Sequence, residues 1–152
     1  MIVRLPRSRM EGDPHSLWNT YVDLLARAKR GDLASNQLAA HLVFWYESEV
    51  QNGGHLQFLK NRPGVDLQPT VEALGDLQAP HFQPLLREAI RRWDSKSRLP
   101  AATSEEYVCQ ELEGEFDDLD AASFAASPTL IELLELHLAA HRDRFIAIDD
   151  NQ

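Results

Sequence analysis

Apolar residues recur along this chain at helical spacing, and glycine and proline divide them into six or seven segments. Asp13-Pro14 reads as an N-cap with proline at the first helical position, and Trp18, Tyr21, Val22 and Leu25 then follow at i, i+3, i+4 and i+7. Gly31 closes that helix. A second begins near Ala34 or Ser35, sets Leu38, Leu42 and Trp45 on one face, and runs to Asn52, where Gly53 and Gly54 break it. A short third helix, His55 to Asn61, ends before Arg62-Pro63-Gly64. Asp66 to Leu77 reads as the fourth, and Ala79-Pro80 opens a fifth that reaches about Trp93, with a loop from Ser97 to Ala102. Thr103 and Glu106 stand at capping-box spacing and open a sixth region that reaches about Ala125, with Gly114 as a point of interruption. Ser127-Pro128 caps a last helix from Thr129 to about Ile148. No segment shows sustained strand alternation. The pattern predicts an all-α, single compact domain of six or seven helices over residues 13–150, preceded by a basic amino-terminal arm, residues 1–12.

Composition bounds what such a domain does. At 152 residues the chain suits one core, able to bury roughly two thirds of its unfolded surface without disulfide or metal. Cys109 is the only cysteine, which excludes an intramolecular disulfide and a cysteine-based zinc site. Met1 to Arg7 has no apolar run long enough for a signal-peptide core. The most apolar stretch, Leu38 to Tyr46, is interrupted by His41 and followed by Glu47, far short of the ~20 apolar residues of a membrane span. A cytoplasmic protein with no membrane partner is expected.

Charge is the unusual property. Residues 1–30 carry six basic and three acidic groups, residues 31–99 seven and eight, and residues 100–152 two and thirteen, so the last third alone carries −11 against a net −9 for the chain. Affinity for nucleic acid comes from neutralising phosphates with Lys and Arg, so a domain this acidic is a poor nucleic-acid binder; no direct nucleic-acid partner is expected, and a basic protein is. Arg87, Arg91, Arg92 and Lys96 cluster at the end of the fifth helix, where cations complement the helix dipole.

One carboxylate is out of place. At 100° per residue, Leu38, Leu42, Trp45 and Glu49 fall within a stripe about 60° wide, which puts Glu49 on an apolar face. A buried carboxylate needs donors, and the backbone N–H groups freed at Asn52, Gly53 and Gly54 are the nearest, giving Glu49 a structural role; a catalytic carboxylate is the alternative. His137 and His141 stand at i, i+4, a spacing that can hold a metal, but on the apolar face between Leu134 and Ile148, where core histidines sit. No His-Glu-x-x-His motif, nucleophile elbow, phosphate loop or dinucleotide fingerprint occurs, so neither a cofactor nor a catalytic residue is assigned.

The run Glu49-Val50-Gln51-Asn52-Gly53-Gly54-His55-Leu56-Gln57-Phe58-Leu59-Lys60-Asn61 resembles the signature of the bacterial DNA-mimic-protein family. Within it Glu49, Asn52, Gly53, Gly54, Gln57 and Phe58 carry the motif, while His55 and Leu59 replace usual aromatics. The resemblance extends through Ala73-Leu74-Gly75 and Phe116 to Asp120. Ala122 to Ala125 departs from it where a Phe-Tyr pair is common. The resemblance covers about residues 15–148. It implies an all-α fold, and the family's best-known member is a dimer that presents carboxylates to a DNA-binding regulator in place of DNA, which makes a homodimer an expectation here; the resemblance implies no particular enzymatic activity. The replacements at His55 and Leu59 are expected to be apolar-site changes.

Mimicry would have to use the segment from Glu105 to Asp120, with eight acidic residues and no basic one. In a continuous helix Glu106, Glu113, Asp117 and Asp120 share a face, with Asp118 beside them. That stripe spans about 21 Å at ~1.5 Å per residue, a length over which a DNA strand places about six phosphates. A second row is therefore needed, from Glu111 and Glu115, from Glu132 and Glu135, or from a symmetry mate. The commoner explanation of such a run is a solvated acidic face. The expected function is a non-enzymatic acidic protein-binding domain, in its sharp form a DNA mimic engaging a basic DNA-binding regulator. Alternatives are a hydrolase-like enzyme using Glu49 with His137 or His141, and a neutralising partner of a basic toxin.

Overall fold

The computed structural model describes residues 1–96, 98 and 103–150, so most of the predicted Ser97 to Ala102 loop lies outside the described residues. In chain order the elements are β1 (Val3–Pro6), α1 (Arg7–Gly12), α2 (Ser16–Arg27), α3 (Ser35–Asn61), α4 (Gly64–Asp76), α5 (Gln83–Asp94), α6 (Ser104–Leu112), α7 (Asp117–Ala125), α8 (Leu130–His141) and β2 (Ile146–Asp149), with single 3-10 turns at Arg30–Asp32 and Arg142–Arg144. The fold is all-α, as the periodicity predicts.

The long α3 is the axis of the molecule, touching α2, α4, α5, α7 and α8. It therefore buries more than one stripe. Val43, Tyr46, Val50 and Phe58 are sealed from solvent, whereas Leu38 and Trp45, predicted for the buried face, are only half-buried. The Arg62 guanidinium lies 4.4 Å from the Trp45 ring and covers it.

Local chemistry sets most of the boundaries. Thr103 and Glu106 form the expected reciprocal box, with Thr103 Oγ1 accepting from the Glu106 amide at 3.2 Å and Glu106 Oε2 from the Thr103 amide at 3.2 Å. Thr129 and Glu132 do the same at the start of α8, so Thr129, rather than Ser127-Pro128, caps that helix. Asp13 does not cap α2. Its carboxylate accepts from the His15 amide at 2.9 Å, and the helix starts at Ser16. α5 begins at Gln83, later than Ala79-Pro80, because Ala79 and Phe82 are drawn into the core by the turn that follows α4.

The acidic region is two helices divided at Gly114, the expected point of interruption, whose φ of +67° is left-handed. Two further departures concern topology. α8 stops at His141 rather than Ile148, and the chain continues through a 3-10 turn into β2. β2 pairs in parallel with β1, Val3 opposite Ile146 and Pro6 opposite Asp149. Residues 3–6 of the predicted basic arm are thus a strand, Leu5 is buried, and Arg4 pairs with Asp149 and Arg7 with Asp150. Among the described residues no helix is long and apolar enough to cross a membrane.

Candidate functional site

The break in α3 organises the polar interior. Gly54 has a φ of +71°, which favours glycine, and a Cβ there would stand 2.3 Å from Asp120 Oδ2, so a larger residue would displace the carboxylate. The space is used. Asp120 Oδ1 accepts from the His55 amide at 2.9 Å, one of the donors freed where the helix restarts, and from His55 Nδ1 at 2.6 Å. With Nδ1 donating, Nε2 accepts from the Tyr46 hydroxyl at 2.8 Å, and burial pushes the Tyr46 phenol up, keeping it protonated. His55 is wholly buried. It is the centre of a polar chain that ties α7 to both halves of α3, and the expectation of an apolar-site change at this position is corrected. The signal in the sequence was a histidine directly after the two glycines. Its partner, 65 residues away, could not be read from it.

Glu49 lies on the other side of the break and is also buried. Its donors are side chains rather than the backbone groups of Asn52, Gly53 and Gly54. Glu49 Oε2 accepts from Gln57 Nε2 at 2.7 Å and Asn61 Nδ2 at 3.0 Å, and Oε1 faces Arg62 at 3.6 Å. Asn52 Nδ2 donates to Gln57 Oε1 at 3.1 Å, which holds the Gln57 amide in the orientation Glu49 requires. The kink swings the second half of α3 so that residues eight and twelve positions on return over Glu49. Phe58 packs edge-on against Tyr46 at 5.1 Å between ring centroids. Glu49, Asn52, Gln57 and Phe58 together brace the break.

The acidic residues divide by environment. Glu105, Glu106, Glu113 and Asp117 are exposed. Asp118 is exposed but held by Arg92 at 2.7 and 2.9 Å, and that guanidinium keeps its carboxyl well below the usual range. Glu115 is gripped by Arg98 at 2.6 and 2.8 Å, with Lys96 at 3.4 Å, and is likewise held down. Asp120 points inward to His55. The single stripe through Glu106, Glu113, Asp117 and Asp120 does not form, because Gly114 turns the chain and the α3 break claims Asp120. The side chain of Glu111 lies outside the described residues. Arg91 and Arg92 also bond to Glu88. The basic end of α5 is therefore an ion-pair hub as well as a complement to the helix dipole.

A family model described as DMP19-like protein matches residues 31–141. The chain belongs to the DMP19-like family. No curated protein and no solved structure matches it. The matched span runs from the turn before α3 to the end of α8, so the α3 break, the Glu49 brace and the acidic helices belong to the DMP19-like part. β1, α1, α2 and β2 lie outside it.

In this DMP19-like chain the contacts of His137 and His141 include none of the side chains that hold Glu49. His137 Nδ1 and the Tyr21 hydroxyl share a hydrogen bond of 3.2 Å, the His137 ring stands 4.8 Å from that of His141, and Phe145 packs at 5.6 Å. Burial, then the neighbouring His141 and Arg144, push His137 down to about 4, so the ring is neutral at pH 7. Among the described residues no three His, Cys, Asp or Glu side chains converge to hold a metal.

Proposed function

We propose that this protein acts by binding a basic, DNA-binding protein, offering the exposed carboxylates of α6 and the start of α7 in place of phosphates. The observation that carries the reading is the charge asymmetry. Thirteen of the 24 acidic residues follow residue 99 with only two basic ones, and Glu105, Glu106, Glu113 and Asp117 face solvent within that stretch. Membership of the DMP19-like family, a family of DNA mimics, supports the same reading. Asp118 belongs to this surface in a modified way, since its exposed carboxylate already has Arg92 as a partner. Asp120 supports the surface from within by anchoring α7. A homodimer would supply the second row of carboxylates that one chain lacks.

The test is competition. Pull-down with the wild-type protein should recover a DNA-binding protein whose capture weakens steeply with salt, because surface charge is screened within about 8 Å at physiological ionic strength. Duplex DNA carrying that protein's site should displace it. The triple variant Glu105→Lys, Glu113→Lys, Asp117→Lys keeps the internal Asp120 bonds and should lose the partner while remaining folded, with a midpoint lowered modestly because Glu105 and Asp117 stand in the first turns of α6 and α7. Equal recovery by both forms would refute the acidic surface as the binding site, and recovery of a basic enzyme indifferent to DNA would indicate toxin neutralisation instead.

A further inference from the structure

A second feature of the surface combines a buried carboxyl group with an apolar rim. Between α3, α7 and the start of α8 opens a pocket of about 440 Å³ whose lining includes Glu47, Ser123, Phe124 and Ile131. Glu47 is 6% exposed and Ser123 4%, while Phe124 is 52% and Ile131 37% exposed. Buried polar groups thus lie beneath large apolar side chains that face water.

Glu47 is unlike the other carboxylates of this region. Glu49 has two amides and Arg62, Glu115 has Arg98 and Lys96, and Asp118 has Arg92. Among the described residues Glu47 has the Gln51 side chain as its polar neighbour and no cation, and burial pushes its carboxyl up. The Ser123 hydroxyl lies close to Tyr46 but has no hydrogen bond of good geometry. A buried carboxylate without a cation and a buried hydroxyl without a partner are both costly. A cationic donor entering the pocket would relieve both.

We propose that this pocket receives an arginine side chain of the protein partner. It rests on the reading of that partner as a basic protein. The five N–H donors of a guanidinium can serve Glu47 and the Ser123 oxygen together, which the compact ammonium of lysine does less well. Phe124 and Ile131 would cover the alkyl stem, as apolar surface does for long basic side chains, and the Phe124 ring adds a face for the cation. The pocket supplies a fixed anchor to an otherwise diffuse electrostatic attraction, and makes contact quality rather than charge alone the basis of selection.

The experiment is an NMR titration of the whole protein with N-acetyl-arginine-N-methylamide. Saturable shifts are expected at the amides of Ser123, Phe124 and Ile131, with affinity in the millimolar range usual for a single side chain. The citrulline analogue, isosteric but uncharged, should bind about tenfold or more weakly, and the lysine analogue should fall between them. Glu47→Gln should reduce arginine binding to the citrulline level, and Phe124→Ser, at an exposed position, should weaken it without unfolding the protein. Absence of shifts at the pocket, equal binding of arginine and citrulline analogues, or no effect of Phe124→Ser would each overturn the proposal. Tighter binding of free L-arginine than of the capped form would overturn it too, by making the ligand a small amino acid. The Glu105, Glu113 and Asp117 reversal should leave the titration unchanged. Loss of the partner in that variant beside a silent pocket would sink the arginine site alone, and the converse would sink the acidic-surface reading alone.

Discussion

Replacing Asp120 by alanine removes one oxygen that serves two buried donors, the His55 amide at 2.9 Å and His55 Nδ1 at 2.6 Å. Each buried donor left unmade costs about 1–3 kcal/mol. The Asp120 side chain is 17% exposed, so water can reach one of the vacated positions. The working figure is therefore about 2–4 kcal/mol, and at about 3 °C per kcal/mol for a chain of this size the midpoint should fall by about 6–12 °C. A double-mutant cycle with His55→Phe, which keeps an aromatic ring but removes both imidazole nitrogens, separates the two bonds. In the His55→Phe background Asp120 still holds the backbone amide but has no imidazole to hold, so Asp120→Ala should cost about 1–2 kcal/mol less there than in the wild type. Thermal melts of the four proteins measure this. A midpoint lowered by less than 2 °C in Asp120→Ala, or strict additivity around the cycle, would show that the carboxylate does not brace the α3 break.

Two further outcomes follow from the interior. Glu49→Ala should lower stability by about 1–3 kcal/mol, because Gln57 and Asn61 each lose a charged acceptor, whereas Glu49→Gln should retain part of it; denaturant midpoints read the difference, and an unchanged Glu49→Ala midpoint would deny the brace. His137 is held neutral, down to about 4 against an ordinary value of 6.5, so between those values the unfolded chain binds a proton that the folded one does not. Stability contributed at this position is present above pH 6.5 and is lost as pH falls toward 4. The fall in midpoint from pH 7 to 4.5 should accordingly be smaller in His137→Phe than in the wild type, and identical slopes would remove this histidine as a source of acid sensitivity.

Helical class and the broken α3 were legible in the sequence because both are local. Apolar spacing at 3.6 residues reports a buried face without reference to what covers it, and two adjacent glycines lower the cost of leaving the helix. Thr103 and Glu106 specify their capping box within four residues. The charge asymmetry is likewise a property of composition and is read without reference to the fold.

Tertiary structure decided which polar groups meet. The two strands are four residues each, too short for a period of two to stand out, and their pairing joins opposite ends of the chain. Glu49 was legible as a buried carboxylate, but its donors depended on the direction taken by the second half of α3 after the kink. Asp120 belonged to an acidic run by sequence and to His55 by structure, and Arg92 and Arg98 drew Asp118 and Glu115 out of that run. Helical phase assigns a residue to a face of its own helix. Whether a carboxylate on that face meets water, an imidazole or a guanidinium depends on the neighbouring helix, and the burial of α3 on several sides sets that neighbour.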